Sequence, residues 1–304
     1  MSSFDAGPLL DPSRPLIASG NLRRRRRVDR IMRASATGAA LIAVVILGIV
    51  LVTTAEKGAS QLSISFLTKD ASQGLGVAGG GVAEAIVGTA LIVLVGAVMA
   101  LPVGVLIAIY LTEFSIPSLA RPIRLALDLL NGTPSIVIAV FVFGLLVEGH
   151  QETGFAASFA LMIIMIPLIA RTTGEMLLLV PKELRDAAHA LGVSRWRTIV
   201  GVVLPSSLGG ILTGVVLALA RAAGETAPML LLSGIFNPSS TTVDVFGTAL
   251  PNIPVIIFQD SESAFPADHA RAWGAALVLI AFILVGNLTA RALLARQRRR
   301  IMAP

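Results

Sequence analysis

The 304-residue chain is 55% hydrophobic and 14% charged, with a formal net charge of +6, where soluble domains carry roughly 25% charged residues. It has no cysteine, which excludes disulfides and thiolate metal sites, and its three histidines (His150, His189 and His269) are too scattered for metal-ligand spacing. Apolar stretches of about 20 residues recur, the length that crosses roughly 30 Å of hydrocarbon at 1.5 Å per residue, so the fold class is an all-α integral membrane protein.

Residues 1–22 are rich in Pro, Ser and Asp and are expected to be disordered. The basic run Arg23–Arg33 that follows reads as the positive-inside flank of a membrane helix, not as a nucleic-acid surface. The apolar stretch after it holds about 20 residues, longer than the 7–15 of a cleavable signal, and reads as a retained anchor although Thr53-Thr54-Ala55 loosely resembles a cleavage site. Six spans are expected in all, at residues 34–55, 83–110, 122–147, 156–180, 203–232 and 271–294. The domain plan is a disordered basic cytoplasmic tail over 1–30, a transmembrane domain over 31–298 with its core at 80–294, and a short cytoplasmic tail over 299–304.

Between the first two spans, Gly74-Leu-Gly76-Val-Ala-Gly79 fits the G-x-G-x-x-G dinucleotide pattern. No strand precedes it and a membrane helix follows, so it reads as a glycine-rich approach to the second span. The only lysines are Lys57, Lys69 and Lys182, and none follows a glycine. The chain therefore has no phosphate loop, and any nucleotide hydrolysis that drives it occurs on another chain.

If the amino terminus is cytoplasmic, six spans return the carboxyl terminus to the same side. Cytoplasmic segments then hold Arg14, Arg23 to Arg27, Arg30, Arg33, Arg121, Arg124, Lys182, Arg185, Arg195, Arg197, Arg291, Arg296 and Arg298 to Arg300, which is 19 of the 24 basic residues. Lys57, Lys69 and Arg271 lie outside, and Arg171 and Arg221 lie within spans. The last outer segment, 233–270, carries Asp244, Asp260, Glu262 and Asp268.

On the cytoplasmic side a polar segment from Pro181 to Pro205 separates the fourth and fifth spans. Pro181 suits a first helical position, and Glu183 places negative charge in the first turn, where the helix dipole favours it. Ala187, Ala188 and Ala190 leave the backbone open to close approach by another surface. Gly192 is placed to end the helix in a left-handed cap, and Ser194 to cap a second short helix through Trp196 and Arg197. The expected product is a short helix lying across the membrane face.

At these residues the chain resembles a known family. Asp186-Ala187-Ala188-x-x-x-Gly192, then nine residues, then Val202-x-Leu204-Pro205 is similar to the E-A-A-x-x-x-G-x₉-I-x-L-P motif of permease subunits of ATP-binding-cassette importers. Aspartate stands where glutamate is usual, and valine replaces isoleucine. The resemblance implies that the helix docks into a cleft on a cytoplasmic ATPase, with Asp186, Ala187, Ala188, Leu191, Gly192, Leu204 and Pro205 as coupling residues. Leu130-Asn-Gly132-Thr133-Pro134-Ser135-Ile-Val137 and Ala220-Arg221-Ala-Ala-Gly224-Glu225-Thr-Ala-Pro228 resemble the G-x-P-S-I-V and R-A-x-G-E-T-A-P segments of PstA-type permeases of phosphate importers. Together the matches run from about residue 80 to 294.

That resemblance implies a type I ABC importer permease fold with a cytoplasmic coupling helix, in a bacterial cytoplasmic membrane, with both termini inside. It further implies a second homologous permease that differs from this chain, around which the first span wraps. Two cytoplasmic ATPase subunits and an extracytoplasmic phosphate-binding protein complete the complex. This chain would need no cofactor, bind no nucleic acid and catalyse no covalent step. Alternatives are a permease for another oxyanion, an ion-coupled secondary transporter, which leaves the Asp186–Pro205 pattern unexplained, and a membrane scaffold, for which intramembrane arginines are needless.

Two pairs of charges fall inside spans: Arg171 with Glu175, and Arg221 with Glu225. A charge near the bilayer centre costs roughly 2.5–3.5 kcal/mol on insertion scales, so such groups line a pathway or pair with one another. Arg171 is expected about 14 Å and Arg221 about 27 Å from the cytoplasmic boundary, which makes them separate sites. Guanidinium suits a tetrahedral oxyanion, so Arg221 is a candidate anion contact, moderated by Glu225. The other reading makes both pairs structural. Thr133 and Ser135, beside Pro134, are further candidates for the pathway or else simple helix caps.

Overall fold

The computed structural model describes residues 22–71, 76, 77, 79–234 and 243–301. Residues 1–21 of the tail expected over 1–30 and part of the glycine-rich Gly74–Gly79 segment lie outside them. The chain divides into two compact units, residues 1–53 and 54–304. Among the described residues every regular element is helical. The helices are α1 (Leu22–Gly58), α2 (Ile64–Thr68), α3 (Ala83–Ile109), α4 (Pro117–Gly132), α5 (Ser135–Val142) and α6 (Gly154–Leu178). After them come α7 (Lys182–Ala190), α8 (Arg195–Thr198), α9 (Leu204–Ala223), α10 (Ala227–Ser233), α11 (Ile253–Ser261) and α12 (Pro266–Ile301). Among the described residues five helices are long and apolar enough to cross a membrane, and the bent pair α4 with α5 brings the number to six if it counts as one span. The helix of the first unit begins at Leu22, so the basic run placed in the tail is helical instead.

Two expected spans are interrupted. The third, 122–147, is divided at Thr133-Pro134 into α4 and α5, which meet at 102°. The proline ring disfavours helical geometry in the residue before it. Thr133 accordingly sits at φ −73°, ψ 129°, and its hydroxyl donates to the Leu129 carbonyl (2.7 Å), capping α4. The fifth, 203–232, stops at Ala223, with Gly224 as its cap, and α10 starts only at Ala227. At the other end of α9, Pro205 has no amide for the preceding turn. The chain widens there into a π-helical turn, Ile199–Val203, and the hydroxyls of Ser206 and Ser207 donate to the Val202 and Val203 carbonyls at 2.6 and 2.8 Å.

The core forms around α6. Along α3, Gly96, Ala100, Gly104 and Ala108 recur every fourth residue, which places them on one face and lets the two backbones approach closely. A methyl group on Gly96 would stand 2.9 Å from the Ser158 carbonyl oxygen, and one on Gly104 would stand 2.8 Å from Ile169 Cγ2. α3 and α6 run parallel, with Ile92, Leu161, Met165 and Ile169 fully buried along the seam. α9 packs antiparallel on α6, Gly210 against Met176 and Gly214 against Thr172. At the end remote from α7, the Ile253 amide donates to Thr89 Oγ1 (2.9 Å), and the Leu250 amide donates to Ser233 Oγ (2.7 Å). The expected acidic segment there contains α11, and its Asp260 accepts two bonds from Arg271 at 2.6 and 2.7 Å.

Widening the seam tests this packing. Gly96→Ala should destabilise the protein by about 1–3 kcal/mol, because the helices must part to admit a methyl group. Thermal unfolding in detergent should show a lowered midpoint. Gly201→Ala, whose added carbon meets nothing within 4 Å, should leave the midpoint unchanged.

Candidate functional site

The polar segment between α6 and α9 folds as two short helices. Pro181 precedes α7 with φ −54°, ψ 140°, outside the helix and not at its first position as expected. At the other end Gly192 has φ +75°, a conformation that costs an L-residue roughly 1–2 kcal/mol and glycine little. The Gly192 amide donates to His189 O (2.9 Å) and the Val193 amide to Ala188 O (3.1 Å), the two bonds of a Schellman cap. Ser194 stands at the cap of α8, but its side chain makes no capping bond; its carbonyl accepts from the Thr198 amide instead.

The coupling candidates divide by environment. Asp186, Ala187, Leu191 and Gly192 are exposed, whereas Ala188 is buried against its own chain. Leu204, the first residue of α9, is half-buried and packs with Ile199 and Val203, and Pro205 beside it is exposed. Leu184, Ala187 and Leu191 are spaced by three and four residues and present an exposed apolar stripe. Such a stripe matches the anchors of a helix lying in a groove.

What ties α7 to the membrane helices did not emerge from sequence reasoning. Arg185 reaches Glu113 at 3.0 Å, and its Nη2 also donates to the Leu177 carbonyl at the end of α6 (2.7 Å). Glu113 is buried in a π-helical turn, Tyr110–Phe114, that ends α3. From α8, Arg195 donates to the backbone carbonyl of Glu113 and stands 5.0 Å from the centre of the Phe114 ring, which in turn neighbours Trp196. Two arginines thus fasten α7 and α8 to the joined ends of α3 and α6. The available signal was a single acidic residue at the close of an apolar span.

The intramembrane charges form the two pairs expected from their spacing. Arg171 and Glu175 approach to 3.5 Å with side chains 67% and 60% exposed. Arg221 and Glu225 also approach to 3.5 Å, at 55% and 16%. Arg221 lies in the last turn of α9, where the helix dipole favours a cation, and Glu225 lies beyond the helix end. Extending the α6–α9 pairing puts Arg221 level with Met165, about 9 Å along the axis from Arg171. The pairs therefore occupy different levels. Ser135 opens α5, half-buried, and Thr133 is engaged as the cap of α4.

The family model for the binding-protein-dependent transport system inner membrane component matches residues 100–302. The chain is 42% identical over 226 residues to the phosphate transport system permease protein PstA 1 of Mycobacterium tuberculosis, covering 73% of each chain. It is 37% identical over 278 residues to the PstA protein of Yersinia pestis, covering 90% of this chain and 92% of that one. Among solved structures, it is similar to a chain of the inward-facing MetNI methionine ABC transporter, with TM-score 0.55 and 21% identity, covering 71% of this chain and 94% of that chain. A chain of the bacterial alginate ABC transporter gives TM-score 0.60 at 13% identity, covering 93% and 98%. The shared architecture is the type I ABC importer permease fold.

A double-mutant cycle tests the tie between α7 and α3. Glu113→Gln and Arg185→Ala should each destabilise the protein, and the double variant should fall short of their sum by about 1–3 kcal/mol, as for residues in one buried ion pair. Chemical or thermal unfolding in detergent measures the coupling; simple additivity would show that the two do not act together.

Proposed function

The chain belongs to the family of binding-protein-dependent transport system inner membrane components, and on that premise we propose that it is a permease subunit of an ATP-driven phosphate importer. The observation that carries the reading is the pair Arg221–Glu225 at an interruption of the fifth span. Irregular backbone at membrane depth is tolerated where it is buried in protein or lines a cavity, and discontinuous helices mark the sites of many transporters. Charges as exposed in this single chain as Arg171 and Arg221 need a covering other than lipid. A second permease chain and a polar pathway between the two would supply it.

In this reading Arg221 contacts the anion through its planar fork of donors, and Glu225 keeps that contact weak enough for release. Arg171 with Glu175 forms a second station nearer α7, while Thr133 and Ser135 border the pathway at the other interruption. The amino and carboxyl termini and α7 face the cytoplasm, and phosphate arrives at the opposite mouth from an extracytoplasmic binding protein. Hydrolysis of ATP takes place on two separate ATPase chains. Leu184, Ala187 and Leu191 enter the ATPase surface beside Asp186. Movement of α7 then passes through Arg185 and Arg195 to the ends of α3 and α6.

Two substitutions separate the parts of this proposal. Arg221→Gln should lower phosphate uptake about tenfold or more, the loss of one charge-assisted hydrogen bond, in a complex that still assembles; undiminished uptake would make the pair structural. Leu191→Asp, at the exposed end of α7, should abolish co-purification of the ATPase while leaving the chain folded, and retained ATPase would rule out this docking face.

A further inference from the structure

The arginines at the start of α1 form a collar whose place relative to the hydrocarbon is set by the helix itself. α1 has 37 residues, a rod of about 55 Å, whereas about 20 residues suffice to cross the hydrocarbon. Its uncharged part, from Ala34 to Ala55, fills that thickness. The helix continues without a break on the amino-terminal side, so Arg33 stands at the boundary, Arg30 and Arg27 stand farther out, and Arg24 stands about 14 Å beyond it. This is the depth of the polar headgroups and of the water layer next to them.

The distribution around the axis indicates what the collar meets. Successive residues of a helix are turned by about 100°, so Arg24, Arg25, Arg26 and Arg27 point in four directions. A partner protein docking on one face would leave most of them unused, whereas a ring of lipid headgroups surrounds the helix and uses them all. Asp29, 2.9 Å from Arg33, is the one acidic residue between Leu22 and Ala55, so the net charge of the run is strongly positive. The charges also stand at the helix end where the dipole disfavours cations, and anionic phosphate groups there would offset both effects.

We propose that Arg24–Arg27 and Arg30 form a binding collar for anionic phospholipids, through which the membrane-spanning helix of the first unit selects its lipid surroundings. A juxtamembrane basic cluster gains roughly 1 kcal/mol per residue near an anionic surface, so one residue alone corresponds to about fivefold selection.

The test uses the full-length chain equilibrated with vesicles of equimolar phosphatidylglycerol and phosphatidylcholine, extracted, washed, and assayed for retained lipid by mass spectrometry. The wild-type chain should retain phosphatidylglycerol over phosphatidylcholine by about fivefold or more. That preference should collapse when salt rises from about 0.1 to about 1 M, which shortens the Debye length from about 10 to about 3 Å. Replacing Arg24, Arg25, Arg26 and Arg27 by glutamine should lower the preference at least about fivefold, and replacing them by lysine should preserve it. Equal retention of both lipids, or a preference that survives high salt or the glutamine variant, would overturn the proposal. So would lipid selection unchanged in the glutamine variant together with loss of a bound polypeptide or nucleic acid. The salt measurement needs no variant, so a failure of the glutamine chain to insert does not shield the proposal.

Discussion

The close approach of α3 and α6 is the constraint on which the rest of the structure depends. Glycine and alanine at every fourth position of α3 remove the side chains that would hold the backbones apart, and α6 fills the seam with Leu161, Met165 and Ile169. The hydrophobic effect gives no drive for helices to associate in lipid, so this packing must come from contact itself, and small residues allow more of it. Because the helices run parallel and in register, they finish together. The Glu113 carboxylate and the Leu177 carbonyl are therefore near enough for a single guanidinium, that of Arg185, to bind both. Larger residues in the seam would misalign these ends and leave α7 without its anchor.

The same helices that pack so closely are flanked by interruptions. Pro134 and Gly224 stop apolar segments that composition alone would carry across the membrane, and Thr133, Ser135, Arg221 and Glu225 sit beside those stops. A straight helix satisfies its own backbone and offers a pathway only side chains. A broken one also gives polar backbone and a helix end, each of which favours ions of one sign. Arg221 in the last turn of α9 and Glu225 just beyond it are arranged by that break, since residues four apart in a continuous helix would share one face and one environment. Here Glu225 is much the less exposed of the two.

Much of the fold was legible because a membrane imposes one-dimensional rules. Length and hydropathy located the five long apolar helices, and Gly192 was recognisable as a left-handed cap because little else tolerates that backbone. The interruptions at Pro134 and Gly224 were visible as residue types, but the surrounding apolar runs were long enough to absorb them. Charge outweighs apolar pattern up to Arg30, so those residues read as disordered tail, yet from Leu22 onward they belong to α1. Glu113 escaped altogether: one acid at a span end belongs to no motif, and its meaning comes from Arg185, 72 positions later in the sequence. Arg185 by itself reads only as a cytoplasmic charge. Ser194 shows the converse, a residue of the right type at a cap whose side chain takes no part.

The division of labour at the centre of this account, a pathway here and an energy source on another chain, is most directly tested in sealed vesicles. This chain would be reconstituted with the proposed partner permease, ATPase and phosphate-loaded binding protein, and uptake of labelled phosphate followed with ATP or with an ion gradient as the sole driving force. The account predicts uptake that requires ATP and the binding protein and persists when all ion gradients are collapsed. Uptake driven by a proton or sodium gradient in the absence of ATP would contradict it.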